Sequence, residues 1–330
     1  MKRDMKLILA PMAGITTGPY REIVRRKSEG KADIIFTEMI SARGVLEFNR
    51  VSLDMLPRRD EECHVQLFGN SPDDFVKATQ FILEHFPNIT GIDINAACPV
   101  KKVVRNGAGA SLVSDLPKLR EILSGMAGPL HEKDKWLSLK IRKGWEGAEN
   151  YMRVFNICEE YGADFLSIHG RTVEQGYSGR ADRRLLEQFP EIRKTAVYWT
   201  GDVNTFEDID ELSSYEDYLD GILFARGTYG NPWFIADAYH YINGLEIESR
   251  GLTQQVETIH EHIDLMLGKY HKSKVLGQFK RFVAGYTWGI KNAREKRNII
   301  YRSRELETLI DRLIATISAE YEDQEKINAE

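Results

Sequence analysis

Short apolar runs alternate with longer amphipathic stretches through most of the chain. The runs are rich in β-branched and aromatic residues, and polar or glycine-rich segments bound them, which is typical of buried strands. Continuous apolar strands separated by helices indicate a parallel sheet that helices cover on its outer face. We predict eight such strands, at Leu7–Ala10, Ile34–Thr37, His64–Phe68, Gly91–Asn95, Trp136–Ile141, Phe165–His169, Ala196–Thr200 and Gly221–Ala225.

The stretches between these strands have a helical character. The clearest of them are Asp73–Phe86, Leu116–Met126, Ala148–Tyr161 and Thr205–Leu212. Eight strands alternating with helices over about 240 residues fit a closed (β/α)8 TIM barrel better than an open doubly wound sheet. No Gly-x-Gly-x-x-Gly follows the first strand, which weakens the case for a dinucleotide-binding Rossmann fold. The predicted fold class is therefore α/β.

The pattern changes near Leu245, after which no further strand is predicted. The remainder of the chain is predicted to form helices at Thr253–Tyr270, Val275–Thr287, Asn292–Tyr301 and Glu305–Tyr321. We therefore expect two domains: a barrel over residues 1–245 and a small all-helical domain over residues 246–330.

Composition is that of an ordinary soluble globular protein, with 330 residues, 42% hydrophobic content and a formal net charge of −5. The three cysteines, Cys63, Cys98 and Cys158, lack the spacing of metal ligands, so no metal site is expected. Such a sparse, odd number suits a reducing compartment. The apolar run before Pro11 is too short for a signal peptide or a membrane span. These features predict a cytoplasmic protein with no membrane association and no obligate protein partner.

Charge is distributed unevenly along the chain. The segment from Lys269 to Arg304 contains eleven Lys and Arg residues against one Glu, together with six aromatic residues. Basic side chains mixed with aromatic ones are suited to phosphate contacts and to stacking on unpaired bases. A helical bundle with a solvated cationic face is the structural alternative, but charge this one-sided favours a polyanionic partner.

Polar and glycine residues stand where the predicted strands end. In a barrel the carboxyl ends of the strands meet at one rim, where active sites are built, so these residues predict a catalytic rim. Together with the apolar Met12, the residues at these strand ends are Gly14, Glu38, Gln66, Asn95, Cys98, Lys140, Arg142, His169, Arg171, Gly201, Asp202, Arg226 and Gly227.

The loops after the last two strands are suited to a phosphate. Thr200–Val203 and Ala225–Thr228 offer glycines for close backbone approach and one arginine for charge. Lys140 and His169 could then donate to a polarised ring such as a flavin. Cys98 lies in the loop after the fourth strand, where a thiol could be a proton donor, a nucleophile or a metal ligand. The residues alone thus indicate a barrel enzyme with a phosphate-bearing cofactor.

Several motifs, in this order along one chain, resemble those of the tRNA-dihydrouridine synthase family. They are Leu9–Gly14, Thr37–Ala42, Val65–Gly69, Cys98–Val103, Gly107–Ala110, Leu139–Arg142, Ile168–Thr172, Ala225–Gly227 and, more loosely, Arg281–Tyr286. The resemblance implies FMN as cofactor, NADPH as the expected reductant and uridines of tRNA as substrate. It also implies a barrel followed by a helical RNA-binding domain.

The resemblance also assigns roles to individual residues. Cys98 would be the general acid that protonates C5 of uracil, and thiols ordinarily keep their proton at neutral pH. Asn95 would orient either the uracil or the flavin edge. The flavin would be lined by Pro11, Met12 and Ala13, bonded at its ring by Gln66, Lys140 and His169, and held towards its phosphate by Thr200, Gly201, Asp202, Ala225 and Arg226.

RNA contacts are expected from cations beside Cys98 and in the basic tail. These are Lys101, Lys102, Arg105, Lys280, Arg281, Lys291, Arg294, Lys296 and Arg297. Two positions depart from the family pattern. Ala97 stands where glycine usually precedes the catalytic cysteine, and Thr200 replaces an asparagine, although its hydroxyl can still bond.

Two other functions compete with tRNA reduction. A small-molecule flavin oxidoreductase of the dihydroorotate dehydrogenase type is the nearest, and the cationic tail distinguishes the two because a free pyrimidine needs no such surface. An RNA-binding protein without turnover would have no use for Cys98, Lys140 and His169 together.

Overall fold

The computed structural model describes residues 5–145 and 149–328, with side chains described as far as Glu322. Eight strands pair in chain order, all parallel, and close into a barrel when the first pairs with the last. They are β1 (Lys6–Leu9), β2 (Ile34–Ser41), β3 (His64–Phe68), β4 (Gly91–Ala96), β5 (Trp136–Gly144), β6 (Phe165–Thr172), β7 (Ala196–Thr200) and β8 (Gly221–Phe224). The predicted (β/α)8 barrel is confirmed.

Helices lie between the strands along the chain and make up the carboxyl-terminal part. They are α1 (Gly18–Lys27), α2 (Ala42–Leu46), α3 (Arg50–Met55), α4 (Pro72–His85), α5 (Lys101–Arg105), α6 (Leu116–His131), α7 (Tyr151–Tyr161), α8 (Phe206–Ser213), α9 (Phe234–Ile242), α10 (Leu252–Leu267), α11 (Lys272–Tyr286), α12 (Ala293–Tyr301) and α13 (Leu306–Asn328). Short 3-10 helices occur at Gly109–Ser114, Arg183–Gln188 and Arg226–Thr228.

Local sequence accounts for many of the helix ends. Ser71 caps α4 by accepting a hydrogen bond from the Asp74 backbone N–H, and Pro72 occupies the first turn. Thr205 and Asp208 form a reciprocal capping box at the start of α8. Gly162 ends α7 in the left-handed conformation that glycine adopts without strain. Side-chain caps thus begin α4 and α8, and a glycine ends α7 before the next strand begins.

Three strands run at least three residues beyond their predicted carboxyl ends, and β4 runs one residue beyond, to Ala96. β2, β5 and β6 end at Ser41, Gly144 and Thr172, because residues past the predicted ends continue to pair with neighbouring strands. Helix α9 precedes residue 245 and was not predicted, and neither was α1. Helix α7 begins at Tyr151, whereas Ala148, the predicted start, lies outside the described residues.

The chain divides into two compact units. One contains the chain up to Gly18 and the segment from Lys31 to Ala225, with all eight strands. The other contains Pro19–Gly30 and the chain from Arg226 onward. Helix α1 therefore belongs almost wholly to the second, helical unit, although it lies between β1 and β2 in sequence. The two functional domains with a boundary near residue 245 stay a prediction.

An aromatic cluster fills part of the barrel interior. The Phe165 ring stacks on Tyr198 with centroids 4.5 Å apart and meets the edge of Phe36 at 6.4 Å. Ile8, Ile34 and Leu223 are buried in the same cluster. Burying large side chains of this kind stabilises a fold by about 1.5–3 kcal/mol each. The cluster makes the barrel interior a packed core rather than a channel.

The helical unit is held by close backbone contact as well as by apolar burial. Phe279 and Phe282 of α11 are buried. Gly285 packs so tightly that a Cβ added there would lie 2.3 Å from the Tyr229 carbonyl carbon. Gly230, with φ of +65°, faces the backbone of α11 equally closely. Only glycine at both positions allows this approach.

Candidate active site

Strand register brings most of the predicted site residues of the barrel unit onto neighbouring strands. Gln66 of β3 is opposite Asp93 of β4, and Asn95 of β4 is opposite Lys140 of β5. Farther round, His169 of β6 pairs with Arg142 on one side and Thr200 on the other. The segment Pro11–Ala13 directly follows β1 and Cys98 lies two residues beyond β4. These residues therefore share the carboxyl-terminal rim of the barrel.

Asn95 holds the loop that carries Cys98. Its Oδ1 accepts hydrogen bonds from the backbone N–H of Cys98 at 3.0 Å and of Ala97 at 3.3 Å. On the other side of this loop, Gly109 has φ of +60°, and a Cβ there would lie 2.9 Å from the Cys98 carbonyl oxygen. Ala110 donates its N–H to that carbonyl at 3.0 Å. Cys98 is partly exposed, whereas Cys63 and Cys158 are buried.

A line of hydrogen bonds connects Asn95 to a buried carboxylate. The Asn95 Nδ2 donates to Gln66 Oε1 at 2.8 Å, and Gln66 Nε2 donates to Asp93 Oδ2 at 2.8 Å. Asp93 is fully buried, and burial raises its pKa to about 7 against the hydrogen bonds from Ser138 and Gln66. When Asp93 is ionised, its carboxylate can only accept, and it then fixes which way both amides point.

The line continues beyond Asp93. Ser138 donates its hydroxyl proton to Asp93 Oδ1 at 2.6 Å, so we assign the proton on His64 Nε2, which lies 3.0 Å from Ser138 Oγ. Burial lowers the pKa of His64 to about 3, which keeps the ring neutral. His64 Nδ1 lies 3.0 Å from Thr90 Oγ1. Sequence reasoning missed Asp93, Ser138 and His64 as parts of the site.

Lys140 supplies the cation of this rim. Its side chain is half-buried, and burial lowers its pKa to about 8, assisted by Arg142 and opposed by Asp93 and Cys98. Within residues 5–145 and 149–328 its ammonium has no hydrogen-bond or ion-pair partner. Partial removal of a cation from water is costly unless an acceptor approaches it. Lys140 is therefore suited to a ligand that carries or develops negative charge.

The turn after β7 forms a cradle beside His169. Gly201 and Asp202 are consecutive residues with positive φ, +119° and +49°. A Cβ at Gly201 would lie 3.1 Å from the His169 ring and 3.2 Å from Ala181. His169 Nδ1 accepts the Arg171 backbone N–H at 3.3 Å, which leaves the proton on Nε2. The turn thus offers close backbone approach to a ligand near a ring donor.

The Asp202 carboxylate has a structural partner of its own. Arg171 Nη2 donates to both of its oxygens, at 2.8 and 2.6 Å, and the Ala181 N–H donates at 2.8 Å. The turn backbone, rather than this carboxylate, therefore suits an anion. Ala225 follows β8 at the end of the barrel unit, and Arg226 starts the first 3-10 turn of the helical unit.

Arg142 connects loops of the rim through hydrogen bonds. It is buried, and burial lowers its pKa. Its Nε donates to the Ala97 carbonyl at 3.1 Å, and Nη1 donates to the carbonyls of Thr172 at 3.1 Å and Gly176 at 2.8 Å. These bonds join the Cys98 loop to the loop after β6. The guanidinium also lies 5.7 Å from the ring centroid of Tyr177. The sequence placed Arg142 on the rim without indicating this role.

The predicted RNA-binding cations separate into two groups. Lys101, Lys102 and Arg105 are exposed on α5, and Arg281, Lys291 and Arg294 are exposed in the helical unit. The other three make internal contacts: Lys280 donates to the Ser303 carbonyl at 2.9 Å, Lys296 pairs with Glu320 at 3.2 Å, and Arg297 donates to Thr287 Oγ1 at 2.7 Å. Three of the nine predicted cations therefore make contacts within the protein.

Two further features concern residues 5–145 and 149–328. No group of three or more His, Cys, Asp or Glu side chains there could hold a metal ion. No helix in that part of the chain is long and apolar enough to cross a membrane.

A thiol, two amides and a cation at the carboxyl end of a closed parallel barrel define the class of (β/α)8-barrel enzymes. The chain belongs to the dihydrouridine synthase family, since the family model described as "Dihydrouridine synthase (Dus)" matches residues 8–320. The family indicated by the sequence motifs is thereby confirmed.

Curated relatives agree with this assignment. A protein of Aquifex aeolicus named "Probable tRNA-dihydrouridine synthase" is 29% identical over 311 residues, which cover 93% of this chain and 95% of the relative. The "tRNA-dihydrouridine synthase B" of Pseudomonas aeruginosa is 30% identical over 296 residues, covering 88% and 86%. Among solved structures, an old yellow enzyme homologue from Zymomonas mobilis covers 77% of this chain and 92% of that one, with a TM-score of 0.48 and 12% identity. That likeness is too low to bear on function.

Proposed function

We propose that the protein reduces the 5,6 double bond of uridines in tRNA to dihydrouridine, with FMN as cofactor, NADPH as reductant and Cys98 as proton donor to C5. The observation that carries the proposal is the neighbouring register of Asn95 and Lys140, with the Asn95 amide holding the Cys98 loop. Family membership and the names of the curated relatives support tRNA as the substrate. The enzyme would act in the cytoplasm.

The residues present fit a flavin phosphate cofactor. Lys140 is a half-buried cation without a hydrogen-bond partner among the described residues, which suits the electron-rich edge of a reduced isoalloxazine. The cradle at Gly201 is space that any Cβ would fill, and it suits a ribityl phosphate. Gln66 and His169 would bond the ring, and Pro11, Met12 and Ala13 would line it. Thr200, the Asp202 backbone and Ala225 would complete the phosphate end, and the role of Arg226, which belongs to the helical unit, stays an expectation from the sequence.

Chemistry at uracil needs a hydride at C6 and a proton at C5. Reduced FMN, when bound, supplies the hydride. The negative charge that develops at C5 is neutralised by the Cys98 Sγ–H, acting as a general acid from the opposite face of the ring. Asn95 keeps the thiol in place through the backbone of its loop, and Lys140 offsets negative charge in the buried mouth.

The target base lies inside folded tRNA and must be exposed before it can enter a barrel mouth. Unstacking costs a few kcal/mol, which contacts to phosphates and stacking on aromatic rings can offset. Lys101, Lys102 and Arg105 lie three, four and seven residues beyond Cys98 and would contact phosphates near the reacting base. The cations of the helical unit would bind the RNA elsewhere.

The experiment is anaerobic incubation of the purified protein with FMN, NADPH and an unmodified tRNA transcript, followed by nucleoside mass spectrometry. Dihydrouridine should appear, and fragment mapping would locate the base. Cys98→Ala should lower the rate by about a hundredfold or more, since a positioned acid contributes that much. The same variant should keep bound flavin and NADPH oxidation.

Cys63→Ala provides the control, because that cysteine is buried away from the mouth and should leave the rate unchanged. Wild-type rates in Cys98→Ala would exclude Cys98 as the acid. Reduction of free pyrimidines without any reduction of tRNA would favour the small-molecule alternative instead.

A further inference from the structure

Trp288 is the most exposed of the five tryptophans, at 75% of its surface, compared with 39% for Trp136, 9% for Trp233 and 0% for Trp199, while Trp145 is partly buried. It directly follows Thr287, the residue that caps the end of α11. Leaving so large an aromatic ring in water forgoes the burial that usually stabilises it. A single exposed ring is ordinary on a protein surface, so the order and the charges around Trp288 decide whether it binds a partner.

The turn that carries Trp288 is held in place from both sides. The Trp288 backbone N–H donates to the Gly285 carbonyl at 2.9 Å. Arg297 of α12 reaches back to the preceding residue, with Nε donating to Thr287 Oγ1 at 2.7 Å and Nη2 to the Thr287 carbonyl at 3.0 Å. A ring on a fixed turn loses little conformational entropy when it binds.

Glu320 of α13 holds the far side of the same turn. It accepts a hydrogen bond from the Lys291 backbone N–H at 3.3 Å and pairs with the Lys296 ammonium at 3.2 Å. Gly289 and Asn292 have φ of +79° and +56°, so the chain reverses sharply between α11 and α12. The backbone from 287 to 292 is thus an ordered turn.

The charges beside Trp288 identify the kind of partner. Lys296 and Arg297 have internal partners, whereas the side chains of Lys291 and Arg294 are exposed and have no partner within the described residues. These two cations lie three and six residues beyond the tryptophan. A partner with both negative charges and flat, accessible rings matches this combination, and unpaired nucleic acid bases joined by phosphates have both.

We infer that Trp288 is a platform on which an unpaired base of the RNA substrate stacks, with Lys291 and Arg294 contacting the phosphates beside that base. The inference rests on the proposed function, because it takes the substrate to be tRNA. It adds a second RNA contact in the helical unit, separate from the base that undergoes reduction in the barrel.

The test measures equilibrium binding of an unmodified tRNA transcript to the full-length protein with Trp288→Ala and Trp288→Phe. Loss of one base stack corresponds to a factor of about 5 to 150 in affinity, and we expect about tenfold weaker binding for the alanine variant. The phenylalanine variant keeps a ring and should retain most of the affinity. Ile299→Ala is the matched control, since Ile299 is 56% exposed on the adjacent α12.

Salt dependence separates stacking from charge. The slope of log K against log salt should be unchanged in Trp288→Ala, because the ring releases no counterions. It should fall by about one for each of Lys291→Ala and Arg294→Ala. Wild-type affinity in Trp288→Ala, or an equal loss in Ile299→Ala, would overturn the platform.

Binding and catalysis are measured independently, so the two proposals can fail separately. Weakened binding by Trp288→Ala in a protein that forms no dihydrouridine would support the platform and refute the proposed function. Wild-type binding by Trp288→Ala in a protein that does form dihydrouridine would refute only the platform. Failure of the wild-type protein to bind tRNA at all would overturn both.

Discussion

His262 lies in the aromatic core of the helical unit. Its ring centroid is 4.5 Å from that of Phe282 and 5.3 Å from that of Phe279, and its Nδ1 is 3.1 Å from Tyr286 Oη. The Nε2 atom is buried without a hydrogen-bond partner. Burial lowers the pKa of His262 from 6.5 to about 3, so the ring is neutral whenever the unit is folded.

Acid should therefore unfold this unit through His262. Because the pKa of the folded state is depressed, the stabilisation is complete above pH 6.5 and is lost as the pH falls towards 3. At pH 5.0 the unfolded histidine is protonated and the folded one is not. The pH then lies about 1.5 units below 6.5, and at about 1.36 kcal/mol per unit the loss is about 2 kcal/mol.

The assay is urea unfolding of the wild-type protein and of His262→Gln at pH 7.5 and at pH 5.0. Glutamine does not titrate and keeps a polar group beside Tyr286. All other groups, including the buried His64, are common to both proteins, so their pH dependence cancels in the comparison. The wild-type free energy of unfolding should fall by about 2 kcal/mol more than that of the variant. Equal losses in the two proteins would refute the reasoning.

Two further substitutions probe features of each unit. Gly285→Ala should lower the free energy of unfolding by about 1–3 kcal/mol, because the added Cβ meets the Tyr229 backbone at 2.3 Å. Thermal unfolding would measure it against Gly277→Ala on the same helix, where nothing lies within 4 Å and no loss is expected. Arg142→Met removes the donor that holds the Ala97 carbonyl, so the single-turnover rate of dihydrouridine formation should fall by about tenfold or more, since hydrogen bonds to charged groups are worth about 1.5–3 kcal/mol. Arg180→Met, at an arginine whose side chain is 71% exposed, is the control, and equal rates in the two variants would contradict the anchoring role of Arg142.

The barrel could be predicted because its strands are separate apolar runs in the sequence. Strand β3 was predicted with both ends correct, and β7 likewise. The ends of β5 and β6 were not, because polar residues facing the mouth interrupt the apolar pattern although their backbones still pair. The polar residues therefore located the rim correctly, but the strands predicted from the apolar runs are shorter than the strands that form the rim.

The helices α1 and α9 were missed for different reasons. Helix α1 is strongly polar, and it buries Arg21 together with its apolar residues. Because a charged residue lies on its buried face, that face does not stand out as apolar in the sequence. Helix α9, Phe234–Ile242, buries its five successive residues from Phe234 to Ala238, so it begins as a continuous buried segment rather than as a polar covering helix.

The residues of the candidate site could be predicted only in part from the sequence. Cys98, Asn95 and Lys140 stood out because each ends or follows an apolar run. The partners of Asp93 come from other strands, with Gln66 27 residues away and Ser138 45 residues away, and spacing along one chain carries no signal for such pairing. Likewise, a count of positive charges could not separate Lys280, which binds a backbone carbonyl, from exposed cations.

The distribution of cysteines has a practical consequence. Cys63 and Cys158 are 1% and 0% exposed, while Cys98, on the rim of the barrel, is partly exposed. The unmodified protein therefore contains a natural single attachment point for a thiol-directed fluorophore or spin label. No cysteine has to be engineered or removed. Protection of that thiol from labelling as RNA is added would report directly on occupancy of the mouth.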